Sequence, residues 1–471
     1  MKNKILSGEQ YMHRKVNRIH MIGIGGIGMS GIAELLLNLD YEISGSDVAS
    51  SVVVERLMQL GAVITIGHRA DNIKNADLVV ISSAIKTDNE ELLAAREKQI
   101  PVIQRAEMLA ELMRLKYGIA VAGSHGKTTT TSMIATILAD AGKDPTMVIG
   151  GRLIALGTNA KLGQGDIIVV EADESDKSFL RLFPIFVVVT NIDREHLDAY
   201  SSLEEISKTF LEFMNKIPFY GAIVACIDDP VIRQLVSSLD KKVIKYGMDP
   251  SADFVAVNIA LHEFSSKYTL IYKGKNITNV ALKVPGIHNI KNSLASIAIS
   301  QHLDIPFEQI IDSLSNFQGV ERRFQLKGKS QSIYLIDDYA HHPTEINAVL
   351  QTARSGWKKK IITIFQPHRY TRTFYLMNEF CDVLYQSDII IITDIYAASE
   401  KPIEGVHSSV LVENIMKKGH TACYYVPKLD DVPALIKEVL SKDSMIITVG
   451  AGNISKIHHQ LIEIITSFEP S

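Results

Sequence analysis

The chain has 471 residues, and at about 150 residues per domain this length predicts roughly three domains. Its 49 Lys and Arg nearly balance its 53 Asp and Glu, so the formal net charge of −4 argues against a surface that binds nucleic acid through its phosphates. The longest apolar runs are far shorter than the roughly 20 residues that a membrane-spanning helix needs, so we expect no membrane partner. Residues 1–15 lack the apolar core of an export signal, which favours a cytoplasmic protein. The three widely spaced cysteines predict buried, reduced thiols rather than disulfides or a zinc site.

Short runs of β-branched residues alternate with longer amphipathic stretches along the chain. This alternation is typical of an α/β protein, in which crossover helices connect parallel strands. The predicted strands fall into three sets, which begin near Arg18, Tyr117 and Ser332. Each set is able to build its own sheet, and we place the boundaries between them near Lys116 and Val320.

The first predicted strand leads into a glycine-rich loop, with Gly23, Gly25 and Gly28 in the sequence GIGGIGMSG. A GxGxxG loop between a strand and a helix lets backbone N–H groups at the helix N-terminus approach a diphosphate. Asp47 follows the last glycine by 47 − 28 = 19 residues, about where an acidic residue meets a ribose hydroxyl. The pattern predicts a nucleotide site but leaves open whether NAD or another diphosphate binds.

A second loop, GSHGKTTTT, follows the predicted strand that begins at Tyr117 and precedes a helical stretch. It is typical of a phosphate cradle, although it is shorter than GxxxxGK[ST] because Val121 occupies the position of the first glycine. In such a cradle, loop amides hold phosphate oxygens, Lys127 neutralises their charge, and the Thr128 hydroxyl reaches a magnesium ion.

Two carboxylate-rich segments, VVEADESD and VVVTNIDREHLD, follow the next predicted strands. The carboxyl edge of an open parallel sheet is the usual place for ligands. Together with Lys127 and Thr128, these segments predict a two-metal phosphate site, with Glu171 on Mg²⁺ and His196 nearby. The histidine is the weaker candidate ligand, because Mg²⁺ prefers oxygen ligands.

Polar clusters also occur further along the chain. His288, Asn289 and Asn292 lie at helical spacings of three and four after a Pro-Gly pair, where Asn can match an adenine edge or simply cap the helix. In the third set, DDYAHHPTE and QPHRYTRT provide groups that can orient and grip an anionic substrate, with surface loops as the alternative.

These segments together resemble, in the same order along the chain, those of the Mur ligase family, the ATP-dependent amide-forming enzymes of peptidoglycan synthesis. The segments that carry the resemblance are GIGGIGMSGIA, GSHGKTTTTSM, EADESD, TNIDREHLD, PGIHNIKN, DDYAHHPTE and QPHRYTRT. The resemblance implies a Rossmann-like domain over residues 1–116 that binds a UDP-sugar rather than NAD. It further implies a central P-loop ATPase-type domain with a mostly parallel sheet over 117–320, and a Rossmann-like domain over 321–471 that brings in the amino acid.

The resemblance also implies roles for individual residues. Residues expected at the UDP-sugar are Gly25, Gly26, Ile27, Gly28, Met29, Ser30, Asp47, His68, Ser83, Asn159 and Asp173. Those expected at ATP are Gly123, Ser124, His125, Gly126, Lys127, Thr128, Thr129, His288, Asn289, Asn292 and Arg323. Those expected at Mg²⁺ are Thr128, Glu171 and His196, and those expected at the incoming amino acid and the acyl intermediate are Tyr339, His341, His368, Arg369 and Arg372. The residues expected to be catalytic are Lys127, Glu171, His196, His341 and Arg369.

The expected reaction joins L-alanine to the lactyl carboxylate of UDP-N-acetylmuramate through an acyl phosphate and a tetrahedral intermediate, in a monomer or homodimer. His341 and His368 are the candidates to take the proton of the amine. One alternative is a murein-peptide recycling ligase, which shares the HGKTTT loop and the YAHHPT segment but joins a tripeptide. Two further alternatives are an NAD-dependent dehydrogenase with an added ATPase and a nucleotide-sensing module without catalysis.

Overall fold

The computed structural model describes residues 16–82, 84–154, 158–195, 199–330, 332–398 and 400–468. The described residues form three sheets, one after another along the chain, each covered by helices. This arrangement confirms the prediction of an α/β protein with three domains and parallel-sheet cores. Among the described helices, none is both long and apolar enough to cross a membrane.

The first domain is a parallel five-stranded sheet of Rossmann type. Its strands are β1 (Arg18–Ile22), β2 (Glu42–Asp47), β3 (Val63–Ile66), β4 (Leu78–Ile81) and β5 (Val102–Gln104), in the order β3-β2-β1-β4-β5. Its helices are α1 (Ile27–Asn38), α2 (Val52–Gln59), α3 (Glu90–Glu97) and α4 (Arg105–Met113). The central strands read as apolar runs because helices cover both faces of the sheet.

The central domain contains a sheet of ten strands, which is parallel in the middle and antiparallel at both edges. Its strands are β6 (Tyr117–Ala122), β7 (Thr146–Leu153), β8 (Thr158–Lys161), β9 (Ile167–Glu171), β10 (Phe186–Val189), β11 (Ala222–Cys226), β12 (Val243–Gly247), β13 (Phe254–His262), β14 (Ser265–Tyr272) and β15 (Lys275–Leu282). The order is β15-β14-β13-β12-β11-β10-β6-β9-β7-β8. The helices are α5 (Lys127–Asp140), α6 (Leu203–Asn215), α7 (Pro230–Val236), α8 (Ile287–His302) and α9 (Phe307–Asn316).

The third domain is a six-stranded sheet with helices on both faces. Its strands are β16 (Gln325–Ser330), β17 (Ile333–Asp338), β18 (Lys360–Phe365), β19 (Ile389–Ile392), β20 (Cys423–Tyr425) and β21 (Ser444–Val449), in the order β16-β17-β21-β18-β19-β20 with only β16 antiparallel. Its helices are α10 (Pro343–Gly356), α11 (Tyr370–Tyr375), α12 (Met377–Leu384), α13 (Ser408–Lys417), α14 (Val432–Val439) and α15 (His458–Ser467). All three cysteines of the chain are buried and free, which confirms the sequence prediction.

The cores explain how the domains relate to one another. One continuous apolar cluster runs from the first domain into the central domain, whereas separate clusters fill the two faces of the third sheet. The third domain is therefore a body of its own, attached to the other two through a smaller set of contacts. In the central sheet β6 lies between β9 and β10, so the loops that follow these three parallel strands meet at one edge.

A buried carboxylate connects several elements of the first domain. Glu91, at the start of α3, is fully buried, and its carboxylate accepts hydrogen bonds from Ser46 (2.5 Å) on β2 and from Asn72. The rings of His20 and His68 lie 3.6 Å and 3.4 Å from the same carboxylate. Burial raises the pKa of Glu91, but the imidazole of His20 and the two hydrogen bonds outweigh it and lower that pKa to about 2.

We expect Glu91→Gln to destabilise the protein by about 1–3 kcal/mol at pH 7, because it removes the charge that these partners stabilise. The folded-state pKa lies below the ordinary value of 4.5, so the contribution is complete above pH 4.5 and is lost as the pH falls toward 2. Urea unfolding of wild type and variant between pH 7 and pH 3 measures the difference. Glu97→Gln, at an exposed position of the same helix, is the control; a difference that does not shrink with falling pH contradicts the prediction.

Candidate active site

The phosphate loop joins β6 to α5 and has the geometry of an anion cradle. Gly123 and Gly126 have φ angles of 138° and 81°, in the left-handed region that favours glycine. A Cβ atom at Gly126 would lie 2.7 Å from Oδ1 of Asn292, so α8 packs directly against the loop. α5 begins at Lys127, and the N–H groups of a helix's first turn have no partner within the helix, so they are suited to hold an anion.

Lys127 lies among carboxylates at this loop. Its Nζ is 2.8 Å from Oε1 of Glu174 and donates a hydrogen bond of 2.5 Å to the carbonyl oxygen of Gly123. Burial lowers the pKa of Lys127, but Glu174, Glu171 and Glu195 raise it above its ordinary value. The ammonium group is therefore charged at neutral pH and suited to phosphate oxygens. Glu174 lies within the segment EADESD, whose pattern predicted no separate role for this residue.

The predicted magnesium ligands meet beside the loop. The Thr128 hydroxyl donates a hydrogen bond of 3.1 Å to Oε1 of Glu171, whose Oε2 accepts a hydrogen bond of 2.7 Å from the backbone N–H of Gly150. A hydroxyl and a carboxylate are oxygen ligands of the kind that Mg²⁺ prefers, so these two side chains fit the ion. His196, the third predicted ligand, lies outside the described residues.

The segment after β10 holds the phosphate loop in place. The backbone N–H of His125 donates to Oδ1 of Asn191 (2.8 Å), and the amide nitrogen of Asn191 donates back to the carbonyl oxygen of His125 (2.9 Å). Thr190 adds a hydrogen bond of 2.6 Å to the same carbonyl, and the N–H of Asp193 donates to the Ser124 hydroxyl (2.8 Å). These loop-fixing residues were missed, because a sequence gives no sign of which loops meet in space.

The predicted adenine set comes together at the start of α8. Asn289 donates to the carbonyl oxygen of Pro285 (2.7 Å), and Asn292 donates to Oδ1 of Asn289 (3.2 Å). Both asparagines are buried, and neither caps the helix: α8 begins after Gly286 without a side-chain cap, and Asn289 donates to a carbonyl instead of accepting from a helix N–H group. Burial, followed by the charge of Arg323, lowers the pKa of His288 to about 4, so its ring is neutral at pH 7.

Asp47, which the sequence predicts at a ribose hydroxyl, contacts the glycine loop of the first domain. Oδ2 of Asp47, the last residue of β2, accepts a hydrogen bond of 2.8 Å from the backbone N–H of Gly25. Gly28, Met29 and Ser30 form the first turn of α1. Only 1% of Met29 is exposed and its side chain belongs to the core, so its backbone is the part available to a diphosphate. The side chains of Ile27 and Asn159 and the whole of Ser83 lie outside the described residues.

Arg105 is a functional candidate that sequence analysis missed. It is the first residue of α4, and a Cβ atom on Gly28 would lie 3.2 Å from its Nη1. Its Nη2 lies 3.5 Å from Oδ2 of Asp173 in the central domain. The guanidinium group therefore stands between the glycine loop and the segment that follows β9. Its position directly after a strand of the same sheet was the available signal.

Rings from two loops of the third domain gather near one another. His341 lies 5.5 Å from Tyr339 and 5.9 Å from His368 between ring centroids, and Nη1 of Arg372 lies 3.2 Å from Nδ1 of His368. Burial lowers the pKa of His341 to about 4, and burial together with His341 and Arg372 lowers that of His368 to about 3. Both imidazoles are neutral at pH 7 and able to accept a proton.

Arg369 and Arg323 occupy different positions around this group of rings. Arg369 has a φ of 69°, strained for a residue with a side chain, and its Nη1 lies 3.8 Å from Oε1 of Glu400. Arg323 stacks over Tyr339 at 5.6 Å, and its Nη1 lies 3.7 Å from Glu345. The structure thus places Arg323, which was predicted at ATP, beside Tyr339, which was predicted at the incoming amino acid.

Comparison with known proteins follows the same three-part division. The family profile described as "Mur ligase family, catalytic domain" matches residues 18–117, "Mur ligase middle domain" matches 121–300, and "Mur ligase, glutamate ligase domain" matches 322–452. A protein of Syntrophotalea carbinolica named UDP-N-acetylmuramate--L-alanine ligase is 51% identical over 96% of this chain and 99% of its own length. A protein of the same name from Geotalea daltonii is 52% identical with the same coverage.

Solved structures agree with these relatives. The UDP-N-acetylmuramate-alanine ligase of Thermotoga maritima matches with a TM-score of 0.81 and 30% identity, covering 95% of this chain and 98% of that one. A murein peptide ligase of Psychrobacter arcticus, at 23% identity, shares the fold with a TM-score of 0.71, covering 96% of this chain and 100% of that one. With profiles that match all three domains and relatives that are about half identical over nearly the full length, the chain belongs to the Mur ligase family.

Proposed function

We propose that this chain joins L-alanine to the lactyl carboxylate of UDP-N-acetylmuramate and converts ATP to ADP and phosphate. The relatives that are about half identical over nearly the whole chain carry the name of this reaction. The observation that supports it in the fold is the convergence of all three domains at one sheet edge. Arg105 of the first domain reaches Asp173 after β9, and Glu345 of the third domain lies 3.4 Å from His125 of the phosphate loop.

The first step activates the carboxylate, which by itself is a poor acyl donor at neutral pH. A lactyl carboxylate oxygen bonds to the γ-phosphorus of ATP while the bond from that phosphorus to the bridging oxygen breaks, which gives an acyl phosphate and ADP. Lys127, held charged by its carboxylate neighbours, offsets the negative charge that moves during this transfer. Mg²⁺ held by Thr128, Glu171 and His196 supplies further charge compensation when bound.

The second step forms the amide. The neutral amine of L-alanine attacks the acyl carbon, and the tetrahedral intermediate collapses with loss of phosphate. His341 or His368 takes the proton of the amine, since both imidazoles are neutral at pH 7. Tyr339 and Arg372 orient the acceptor beside them, and Arg369 binds the acyl intermediate.

The remaining site assignments follow the same division of labour. The glycine loop with Asp47 and His68 holds the UDP part, and the phosphate loop with Asn289 and Asn292 holds ATP. We propose domain limits of 1–116, 117–320 and 321–471, each of which contains one sheet. A cytoplasmic location and a monomeric or homodimeric state stay predictions from the sequence.

The defining experiment measures ADP release by the purified chain with ATP, Mg²⁺, UDP-N-acetylmuramate and L-alanine, omitting each in turn. We expect release to require all four, because phosphoryl transfer needs the sugar carboxylate and turnover needs the amine. Release with the tripeptide L-alanyl-γ-D-glutamyl-meso-diaminopimelate in place of L-alanine would instead establish the recycling ligase. Stabilisation of the chain against thermal unfolding by NADH, and not by the UDP-sugar, would instead favour the dehydrogenase.

Lys127→Ala is expected to reduce turnover by about 100-fold or more, since it removes a charge that stabilises the transferring phosphoryl group. Binding of UDP-N-acetylmuramate, measured by calorimetry, should be largely unchanged because that site lies in the first domain. The exposed Lys143→Ala, just beyond the end of the same helix, is the control. Undiminished ATP-dependent phosphate release in Lys127→Ala would refute the assignment.

Arg105→Met is expected to raise KM for UDP-N-acetylmuramate about tenfold or more and to leave KM for ATP within about twofold, because a charged hydrogen-bond donor near the glycine loop is lost. Steady-state kinetics with each substrate varied in turn make the distinction. Arg114→Met, at the exposed end of the same helix, serves as the matched control. If KM for ATP rises as much as KM for the sugar nucleotide, Arg105 does not act on the sugar nucleotide.

A further inference from the structure

The start of α10 in the third domain touches the phosphate loop of the central domain. The hydroxyl of Thr344 donates a hydrogen bond of 2.5 Å to Oδ2 of Asp193. The same oxygen lies 3.0 Å from Nε2 of His125 in the loop. Because the backbone of Asp193 is itself bonded to the Ser124 hydroxyl, this contact reaches the loop through both backbone and side chain. These polar contacts join the two domains at the loop, whereas Phe264 of the central domain packs on the core of the third domain at Trp357.

The two carboxylate oxygens of Glu345, the next residue of α10, contact different parts of the site. Oε1 lies 3.4 Å from Nδ1 of His125 and 3.7 Å from Nη1 of Arg323, on the side of the nucleotide. Oε2 accepts a hydrogen bond of 3.0 Å from the backbone N–H of His341 and lies 3.4 Å from its Nδ1, on the side of the acceptor. Only 11% of the side chain is exposed. A single carboxylate therefore contacts both halves of the site.

The charges on this bridge favour a firm contact. Burial disfavours charge on both partners, yet Glu195, Asp193 and Glu345 raise the pKa of His125 to about 10. Its neighbours His341, His125 and Arg323 hold the pKa of Glu345 well below its ordinary value. At neutral pH the pair is a cation facing an anion, shielded from most of the solvent.

The same cluster has the composition of a metal site, since ligand atoms of His125, Asp193 and His342 lie within 4.8 Å of one another. The Asp193 oxygen that would bind an ion already accepts the Thr344 hydroxyl and faces a protonated His125. A cation there would have to displace the Thr344 hydroxyl from Asp193 and the proton from His125. The arrangement is that of a clamp between domains.

We propose that Glu345 is a positioning residue that couples the ATP-binding half of the site to the amino-acid-binding half, and that the bond between Thr344 and Asp193 holds it in place. The proposal rests on the proposed ligase function. Amide formation needs the amine within about 3–3.5 Å of an acyl carbon that was activated at the phosphate loop. In the proposed reaction the amine is held by the third domain and the acyl carbon forms at the phosphate loop of the central domain. A contact that fixes the distance between these two domains therefore serves this step directly.

Glu345→Gln keeps the size of the side chain and an oxygen that accepts from the N–H of His341, but it removes the charge that faces His125 and Arg323. We expect kcat to fall about tenfold or more, and KM to rise for both ATP and L-alanine, as for loss of a hydrogen bond to a charged group. KM for UDP-N-acetylmuramate should stay within about twofold. Glu413→Gln, exposed on α13, is the matched control.

Thr344→Val is the second variant, because Thr344 is exposed and its replacement leaves the core intact. It removes only the bond to Asp193, so we expect the same pattern of changes with a smaller amplitude. In the double variant H125Q/E345Q the loss should be smaller than the sum of the two single losses, since both changes break the contact between His125 and Glu345. Fully additive losses would overturn the coupling.

Equilibrium binding of a non-hydrolysable ATP analogue to wild type, Glu345→Gln and Thr344→Val separates this inference from the proposed function, because it needs no acceptor. Weaker binding by both variants supports the clamp whichever acceptor the enzyme uses. Unchanged binding of the analogue, or a rise confined to KM for L-alanine, overturns it. An active site that accepts a tripeptide but not L-alanine refutes only the proposed function.

Discussion

The exchange of hydrogen bonds between the phosphate loop and the segment after β10 is the interaction on which the rest of the site depends. The backbone of His125 donates to and accepts from the single side-chain amide of Asn191. A loop that presents its N–H groups to phosphates leaves these groups unpaired in the free protein. Its conformation must therefore be fixed by hydrogen bonds to neighbouring segments. With the loop fixed, Lys127 and Thr128 start α5 beside Glu171 and not elsewhere on the sheet.

Each neighbouring domain then attaches to a different part of this fixed edge. The first domain shares a continuous core with the central one and sends Arg105 toward Asp173. The third domain keeps its own core and reaches the loop through polar contacts of Thr344 and Glu345. Away from the loop, Phe264 of the central domain packs on Trp357 of the third domain, with 4.8 Å between ring centroids, so apolar and polar contacts both join these two domains.

Sequence patterns predicted the most apolar parallel strands, because a strand buried on both faces reads as an unbroken apolar run. They did not mark less apolar or shorter parallel strands, such as β2, β3, β5, β12 and β20. Strand β18 occupies the residues expected from the pattern, and Glu171 ends β9 as expected. The antiparallel strands β13, β14 and β15 were not predicted. Much of β15 is exposed and carries Lys, Asn and Thr, so neither an apolar run nor a clear alternation marks it.

The sequence by itself determined the chemistry of the protein: two glycine loops that each require a φ or close approach suited to glycine, a lysine at a helix start, and carboxylates at strand ends. These features are local, and they depend on spacings of a few residues along the chain. Only the tertiary structure decided which side chains share a contact. The contacts join residues that are far apart along the chain: Glu174 lies 47 residues from Lys127, and Arg105 lies 68 residues from Asp173. Glu345, which also contacts His341, lies 220 residues from His125. Their proximity follows from strand order and domain packing, which no single segment of the sequence encodes.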